Sequence, residues 1–235
     1  NPEIPTFPRI LREAGYRTKA VGKMHFTPTY LDVGFDEMIL AEQDGDGRWD
    51  DDYHRALRAA DLVDRNDLED QRHEYRKDAR EKYWETYGAL ATNLPERYYS
   101  TEWIARQALD ELETWESGGN LMMVGFIKPH HPFDPPASWT DAYDPEALTL
   151  TPGWTGEVPE RDARLQGGYF PNKDLTEKGL RRAMAYYYAT IEEIDEKVGE
   201  MVAVLKEKGL YDNTVIVFTS DHGEYLGFHH LLLKG

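Results

Sequence analysis

The sequence predicts an α/β fold: a doubly wound, mostly parallel sheet with helices on both faces. Three observations carry this. Leu121 to Ile127 and Thr214 to Phe218 are short, uniformly apolar runs rich in β-branched and aromatic residues, the signature of strands buried on both faces. Stretches with apolar residues at helical spacing alternate with these runs, which is the order strand, helix, strand of a parallel sheet. Polar chemistry also begins where the strands stop, and ligands in open α/β sheets collect beyond the carboxyl ends of strands.

Taken in order, Phe7, Ile10, Leu11 and Ala14 fall on a helix that Thr6 can cap and Gly15 can end. Arg17 to Val21 reads as a strand, with Gly22-Lys23-Met24-His25 just past it. Gly34 to Glu37 looks like a turn into another short extended piece. Within a charged insertion at about 44–97, Asp44 to Asp52 is Gly-rich and acidic, and Asp50 to Arg80 is predicted to be a surface stretch with weak helices, a candidate lid. Trp103, Ile104, Ala108, Leu112 and Trp115 share a helix face, with Ser100 or Thr101 as cap and Gly118-Gly119 as stop. This helix leads into the Leu121 to Ile127 strand, and Lys128 to Phe133 follow it. Asp134 to Pro171 is expected to be irregular, and Glu177 to Lys208 a long helix stopped by Gly209.

Composition removes several function classes. With 27 basic against 44 acidic residues and a net charge of -17, the chain lacks the basic surface that a nucleic acid requires. An anionic substrate would need a local cationic pocket, so lysines and histidines at strand ends carry more information here. There is no cysteine, which excludes disulfides, thiolate zinc sites and a cysteine nucleophile from these 235 residues. No apolar run approaches the roughly 20 residues that span a bilayer. The opening Asn-Pro-Glu-Ile-Pro is neither a signal peptide nor an initiator methionine, and the fold is expected to be incomplete at both ends.

Three strand ends carry polar sets. Lys23 and His25, two apart, point to one side of an extended chain and suit two groups converging on one anion. His130 and His131 are adjacent and point apart, so one of them enters a shared pocket while the other packs or caps. The flanking Pro129 and Pro132 restrict the backbone around them. Asp221 and His222 follow the Thr214 to Phe218 run, with His229, His230 and Lys234 close behind; a carboxylate and an imidazole there suit a metal or an anion. An ordinary Asp-His-Gly turn and a solvated Lys-x-His strand end are the plainer alternatives.

Together these stretches resemble the sulfatase family of the alkaline phosphatase superfamily. The matching segments are Leu11 to His25, Gly125 to Phe133, and Gly209 to Gly227 followed by His229 and Lys234, all in the family's order. The resemblance implies a partial sulfatase catalytic domain over residues 1–235, with the insertion at about 44–97, and an alkaline phosphatase-like fold. It implies that Asp221 and His222 are ligands of a divalent cation, calcium first and magnesium or zinc after it. Lys23 and Lys234 correspond to lysines that grip sulfate oxygens. His25 corresponds to the imidazole beside the nucleophile, and His130 to the imidazole near the leaving oxygen, a sulfate contact and general acid. His131 falls at a variable position of the family and is not carried over; His229 matches a recurrent histidine of unassigned role.

One departure is as informative as the matches. The family's nucleophile is a formylglycine made from the first residue of a Cys/Ser-x-Pro-x-Arg motif, and neither that motif nor the family's N-terminal aspartate pair is found in this chain. The expected function is therefore a sulfuric ester hydrolase acting on a small-molecule or glycan sulfate ester, with the segment inactive alone. A phosphonate or phosphate ester hydrolase of the same superfamily and a non-catalytic metal-binding protein of that fold are the alternatives. Export is common among proteins similar to this one, and nothing in the residues places the chain in a compartment.

Overall fold

The computed structural model describes residues 4–43, 50–155, 157–158, 160–162, 170 and 174–234. By internal contacts the chain divides into two units. The first comprises Asn1–Asp64, Leu94–Lys128 and Glu193–Val215, and the second Arg65–Asn93, Pro129–Glu192 and Ile216–Gly235.

The first unit is built on a parallel sheet. Arg17–Gly22 (β1) lies between Glu37–Leu40 (β2) and Asn120–Gly125 (β3), in the order β2-β1-β3. The register sets Val21 beside Ile39 and Val124, and Ala20 beside Met38 and Met123. Because side chains alternate across a strand, these rows face opposite ways. The Val21 row enters a core with Trp103, Ile104, Ala108 and Leu112 of the helix Ser100–Glu113 (α6), Tyr53 and Leu57 of Asp52–Ala59 (α2), and Met201 and Leu205 of Glu177–Glu207 (α7). The Ala20 row packs with Phe35 and Leu40, and Phe7 of the helix Phe7–Glu13 (α1) meets Phe35 edge to face at 6.3 Å. Helices therefore cover both faces, as a doubly wound sheet requires. On the α6 face Lys19 reaches Glu111 at 2.7 Å and Glu37 at 3.1 Å, and Arg17 reaches Glu111 at 2.9 Å, so a buried carboxylate is answered by two cations.

The second unit has no strand ladder among its described residues. Its core joins Tyr83, Phe133, Phe170, Leu180, Met184, Leu226 and Leu232. Three short helices from the predicted insertion, Arg65–Gln71 (α3), His73–Arg76 (α4) and Glu81–Glu85 (α5), belong to it, as does α7 up to Glu192.

Several expectations need correction. The run Thr214 to Phe218 forms no ladder with any described strand, and Val215, Val217 and Phe218 are 90%, 80% and 79% exposed. An apolar strand is buried on both faces when it sits in a sheet whose faces are covered by other layers, and this run joins none of the described strands. Strand β3, at an edge of the described sheet, is partly rather than fully buried. The Asp50 to Arg80 stretch is not confined to the surface, since Asn66 and Asp70 are fully enclosed; residues 44–49 of the expected insertion lie outside the described residues. Helix α6 takes Tyr99 as N-cap, leaving Ser100 and Thr101 inside its first turn. Thr6 holds the N-cap position of α1, but its hydroxyl donates to the carbonyl of Val33 instead of capping. The irregular stretch from Asp134 and the long helix ended by Gly209 are as read, part of the former lying outside the described residues.

Candidate active site

In the first unit, the end of β1 is pinned against the end of β3. The amide of Lys23 donates to Gly125 O at 2.7 Å, and a Cβ on Gly125 would sit 2.0 Å from the carbonyl oxygen of Lys23. Only glycine permits that approach. The chain then turns through His25, whose φ of 56° is in the left-handed region. Glu42, 1% exposed, holds this turn: its carboxylate accepts from the amides of Met24 at 3.1 Å and His25 at 3.0 Å. Burial lifts the Glu42 carboxyl above its ordinary range, and the bonds from Met24 and His25, with the charge of Lys23, only partly reverse this. The ammonium of Lys23 donates to Oε1 of Gln43 at 3.2 Å, while the His25 side chain is exposed.

In the second unit, the structure brings four of the predicted residues together. The ring of His130 lies 6.1 Å from that of His222. His222 donates from Nδ1 to Gly223 O at 2.9 Å, which leaves its Nε2 lone pair to accept from the ammonium of Lys234 at 3.0 Å. Asp221 is exposed, its Oδ1 taking the amide of His222 at 3.0 Å and its Oδ2 lying 3.6 Å from Nε2. His130 donates from Nδ1 to the carbonyl of His131 at 2.8 Å. His131 is enclosed at 2% exposure, with Nδ1 on Asp70 and Nε2 on Tyr87 O. His229 stands apart from the group, 3.5 Å from Asp162, and His230 stacks on Trp154 at 4.2 Å.

Glu42, Asp70 and Glu224 are not among the residues the sequence assigns to the site, and His131 is the member of the adjacent pair that packs. Glu224 follows the Asp-His-Gly turn, and burial pushes its carboxyl up to about 7 despite the opposing charges of His131 and Lys234. Its place in the Asp-His-Gly-Glu motif was the available signal; nothing in the sequence marks Glu42 or Asp70 among so many acidic residues.

A model of the family described as Sulfatase matches residues 1–235, the whole chain. The chain belongs to the sulfatase family. It is 28% identical to the arylsulfatase of Clostridium perfringens (strain 13 / Type A) over 95% of its own length and 47% of that protein. It is 30% identical to the choline-sulfatase of Rhizobium meliloti (strain 1021), covering 98% of this chain and 44% of the relative. The chain thus spans about half the length of these curated sulfatases. Among solved structures, the phosphonate monoester hydrolase SpPMH from Silicibacter pomeroyi superposes with a TM-score of 0.68 at 23% identity, over 99% of this chain and 50% of that one. That likeness shows the fold, an alkaline phosphatase-like α/β architecture with a parallel sheet.

Members of the sulfatase family generally use a divalent metal. The donors fit such an ion in part. Asp221 supplies an accessible hard carboxylate and His222 an oriented Nε2 lone pair, so adjacent residues offer two ligands of the appropriate kind. No group of three or more His, Cys, Asp or Glu side chains that could hold a metal is present among the described residues. No described helix is long and apolar enough to cross a membrane.

Proposed function

We propose that this chain is the part of a sulfuric ester hydrolase that grips the sulfate, protonates the leaving group and supplies one side of a metal site. The cluster of His130, His222 and Lys234 carries the reading, because it sets a proton donor, a metal-ligand pair and a cation within one short span of structure. The covered relatives named arylsulfatase and choline-sulfatase support sulfate as the reacting group. The substrate proposed is accordingly a small-molecule or glycan sulfate ester.

Each side chain then has a definite task. The ammonium groups of Lys23 and Lys234 attract sulfuryl oxygens, each by about 4 kcal/mol of gross Coulomb energy at ~4 Å in a partly shielded site, before desolvation is subtracted. His130, with Nδ1–H committed to the His131 carbonyl, would act as an imidazolium whose Nε2–H contacts the sulfate and passes its proton to the departing alcohol oxygen, leaving the neutral ring protonated at Nδ1. His25 assists breakdown of the covalent intermediate. Asp221 and His222 would hold the cation, calcium on the preference of a carboxylate oxygen, with magnesium or zinc as alternatives. When bound, that ion neutralises charge developing on the sulfuryl oxygens. The family's nucleophile, a formylglycine made from cysteine or serine, has no Cys/Ser-x-Pro-x-Arg source among these 235 residues. His229 receives no task.

A phosphonate or phosphate ester hydrolase is the second reading, favoured by the fold of SpPMH alone. Lys23 and His25 tilt the choice toward sulfate. Steady-state kinetics of the full-length protein on paired aryl sulfate and aryl phosphonate esters test it. We expect the sulfate to be preferred and His130→Ala to lower its turnover by roughly 10²- to 10⁴-fold. Preferential hydrolysis of the phosphonate would reject the sulfatase reading, and hydrolysis of neither would favour a metal-binding role.

A further inference from the structure

The 129–135 loop that carries His130 is tied at many points to the segment 65–93. Asn66 donates to Asp134 at 3.0 Å, the Thr92 amide to Pro135 O at 3.0 Å, and Ala89 bridges Phe133 in parallel. The innermost tie is ionic. Asp70 is fully enclosed and accepts from the hydroxyl of Tyr83 at 2.6 Å, from the Gln71 amide and from Nδ1 of His131. A carboxyl that takes three donors and gives none is ionised. Burial would raise its pKa, but His131, Tyr83 and Arg76 together hold it below the ordinary range.

His131 completes the arrangement. Its Nε2 meets the Tyr87 carbonyl at 2.8 Å, so both ring nitrogens face acceptors and both must donate. The ring is held among Tyr83, Phe133 and Phe170. A buried ion pair in such an aromatic pocket stabilises a fold no better than apolar side chains of similar volume would. What it adds is a fixed direction, and that direction passes to the neighbouring residue. The His131 carbonyl takes Nδ1 of His130 at 2.8 Å and the Gln71 amide at 3.2 Å, so the tautomer and tilt of His130 follow from where Asp70 holds His131.

We propose that Asp70 and His131 are positioning residues, a buried ion pair that fixes the tautomer and orientation of His130 for protonation of the leaving group. The proposal rests on the reading of His130 as the acid, and it extends the active-site machinery into a segment that looks like an insertion.

The test is leaving-group dependence in the full-length enzyme. Asp70→Asn should slow hydrolysis of an unactivated sulfate ester by roughly tenfold to a hundredfold. An activated nitrophenyl sulfate, whose leaving group needs no proton, should change by less than about threefold. An equal loss on both esters, or a loss on neither, would overturn the proposal. Should Asp70→Asn fail to fold, Tyr83→Phe deletes one donor to Asp70 while keeping the ring, and it must show the same bias at smaller amplitude. If the wild type cleaves neither ester, the sulfatase reading has failed separately. Nitrogen-15 NMR of His130 then decides: Nδ1 protonated in the wild type with the tautomers mixed in Tyr83→Phe supports positioning, and an unchanged tautomer overturns it.

Discussion

The ammonium of Lys234 lies 3.0 Å from Nε2 of His222, at the nitrogen where a metal would bind. On the proposed roles of Lys234 and His222, anion grip and metal ligation compete at one atom. A divalent cation must turn the lysine away, and removing that positive charge should strengthen metal binding. Lys234→Met is expected to tighten calcium binding by up to about 1 kcal/mol, roughly fivefold, since the pair is exposed and screened. Calorimetric titration of the full-length protein checks this, and weaker binding in the variant would contradict it. Turnover of a sulfate ester should fall in the same variant.

The close approach at the end of β1 makes a second prediction. A Cβ at position 125 would press within 2.0 Å of the Lys23 carbonyl oxygen, which is backbone and cannot swing aside. Gly125→Ala should destabilise the protein by about 1–3 kcal/mol. It should also raise KM for the sulfate ester more than it lowers kcat, because Lys23 is displaced. Chemical denaturation and steady-state kinetics measure the two effects, and a variant of unchanged stability would refute the crowding.

Glu111, with its side chain 3% exposed, depends on Lys19 at 2.7 Å and Arg17 at 2.9 Å. Lys19→Met should cost about 3 kcal/mol, the low end for breaking a buried pair, because Arg17 remains to answer the charge. The double variant Lys19→Met with Glu111→Leu should recover most of that loss. Denaturation midpoints for the four proteins of this cycle would show whether the pair behaves as a unit.

Stability should also depend on pH through Glu42. At low pH its carboxyl is protonated in the folded and unfolded chains alike. As pH rises past its ordinary value of 4.5, the unfolded chain ionises first while burial keeps the folded carboxyl protonated, so stability declines until the folded group ionises too. Glu42→Gln should flatten that decline, since its amide oxygen still accepts from Met24 and His25. Melting temperatures of both proteins across this window provide the check, and parallel curves would count against the assignment.

The elements that are legible in the sequence are those that carry their own local pattern and stop signals, wherever their partners lie. Helix α7 is readable from its own stripe and its glycine stop, and β1 from the short Arg17 to Val21 segment set between Gly15 and Gly22. Thr214 to Phe218 was misread for burial, because composition reports what a segment can pair with and not whether a partner is there. The candidate site divides in the same way. Asp221 and His222 stand out as a polar set after an apolar run, although that run joins none of the described strands. Asp70 and Glu42 were hidden, because a carboxylate becomes informative only when burial separates it from the other acidic side chains.

The exposed run from Val215 to Phe218 also has a consequence for handling the protein. Unpaired backbone amides and carbonyls beside β-branched and aromatic side chains are the ingredients of edge-to-edge self-association and steric zippers. Four consecutive apolar residues without a charge or proline among them have no gatekeeper until Asp221. Chains carrying this surface uncovered should form concentration-dependent oligomers, and a single lysine at Val217 should keep them dispersed.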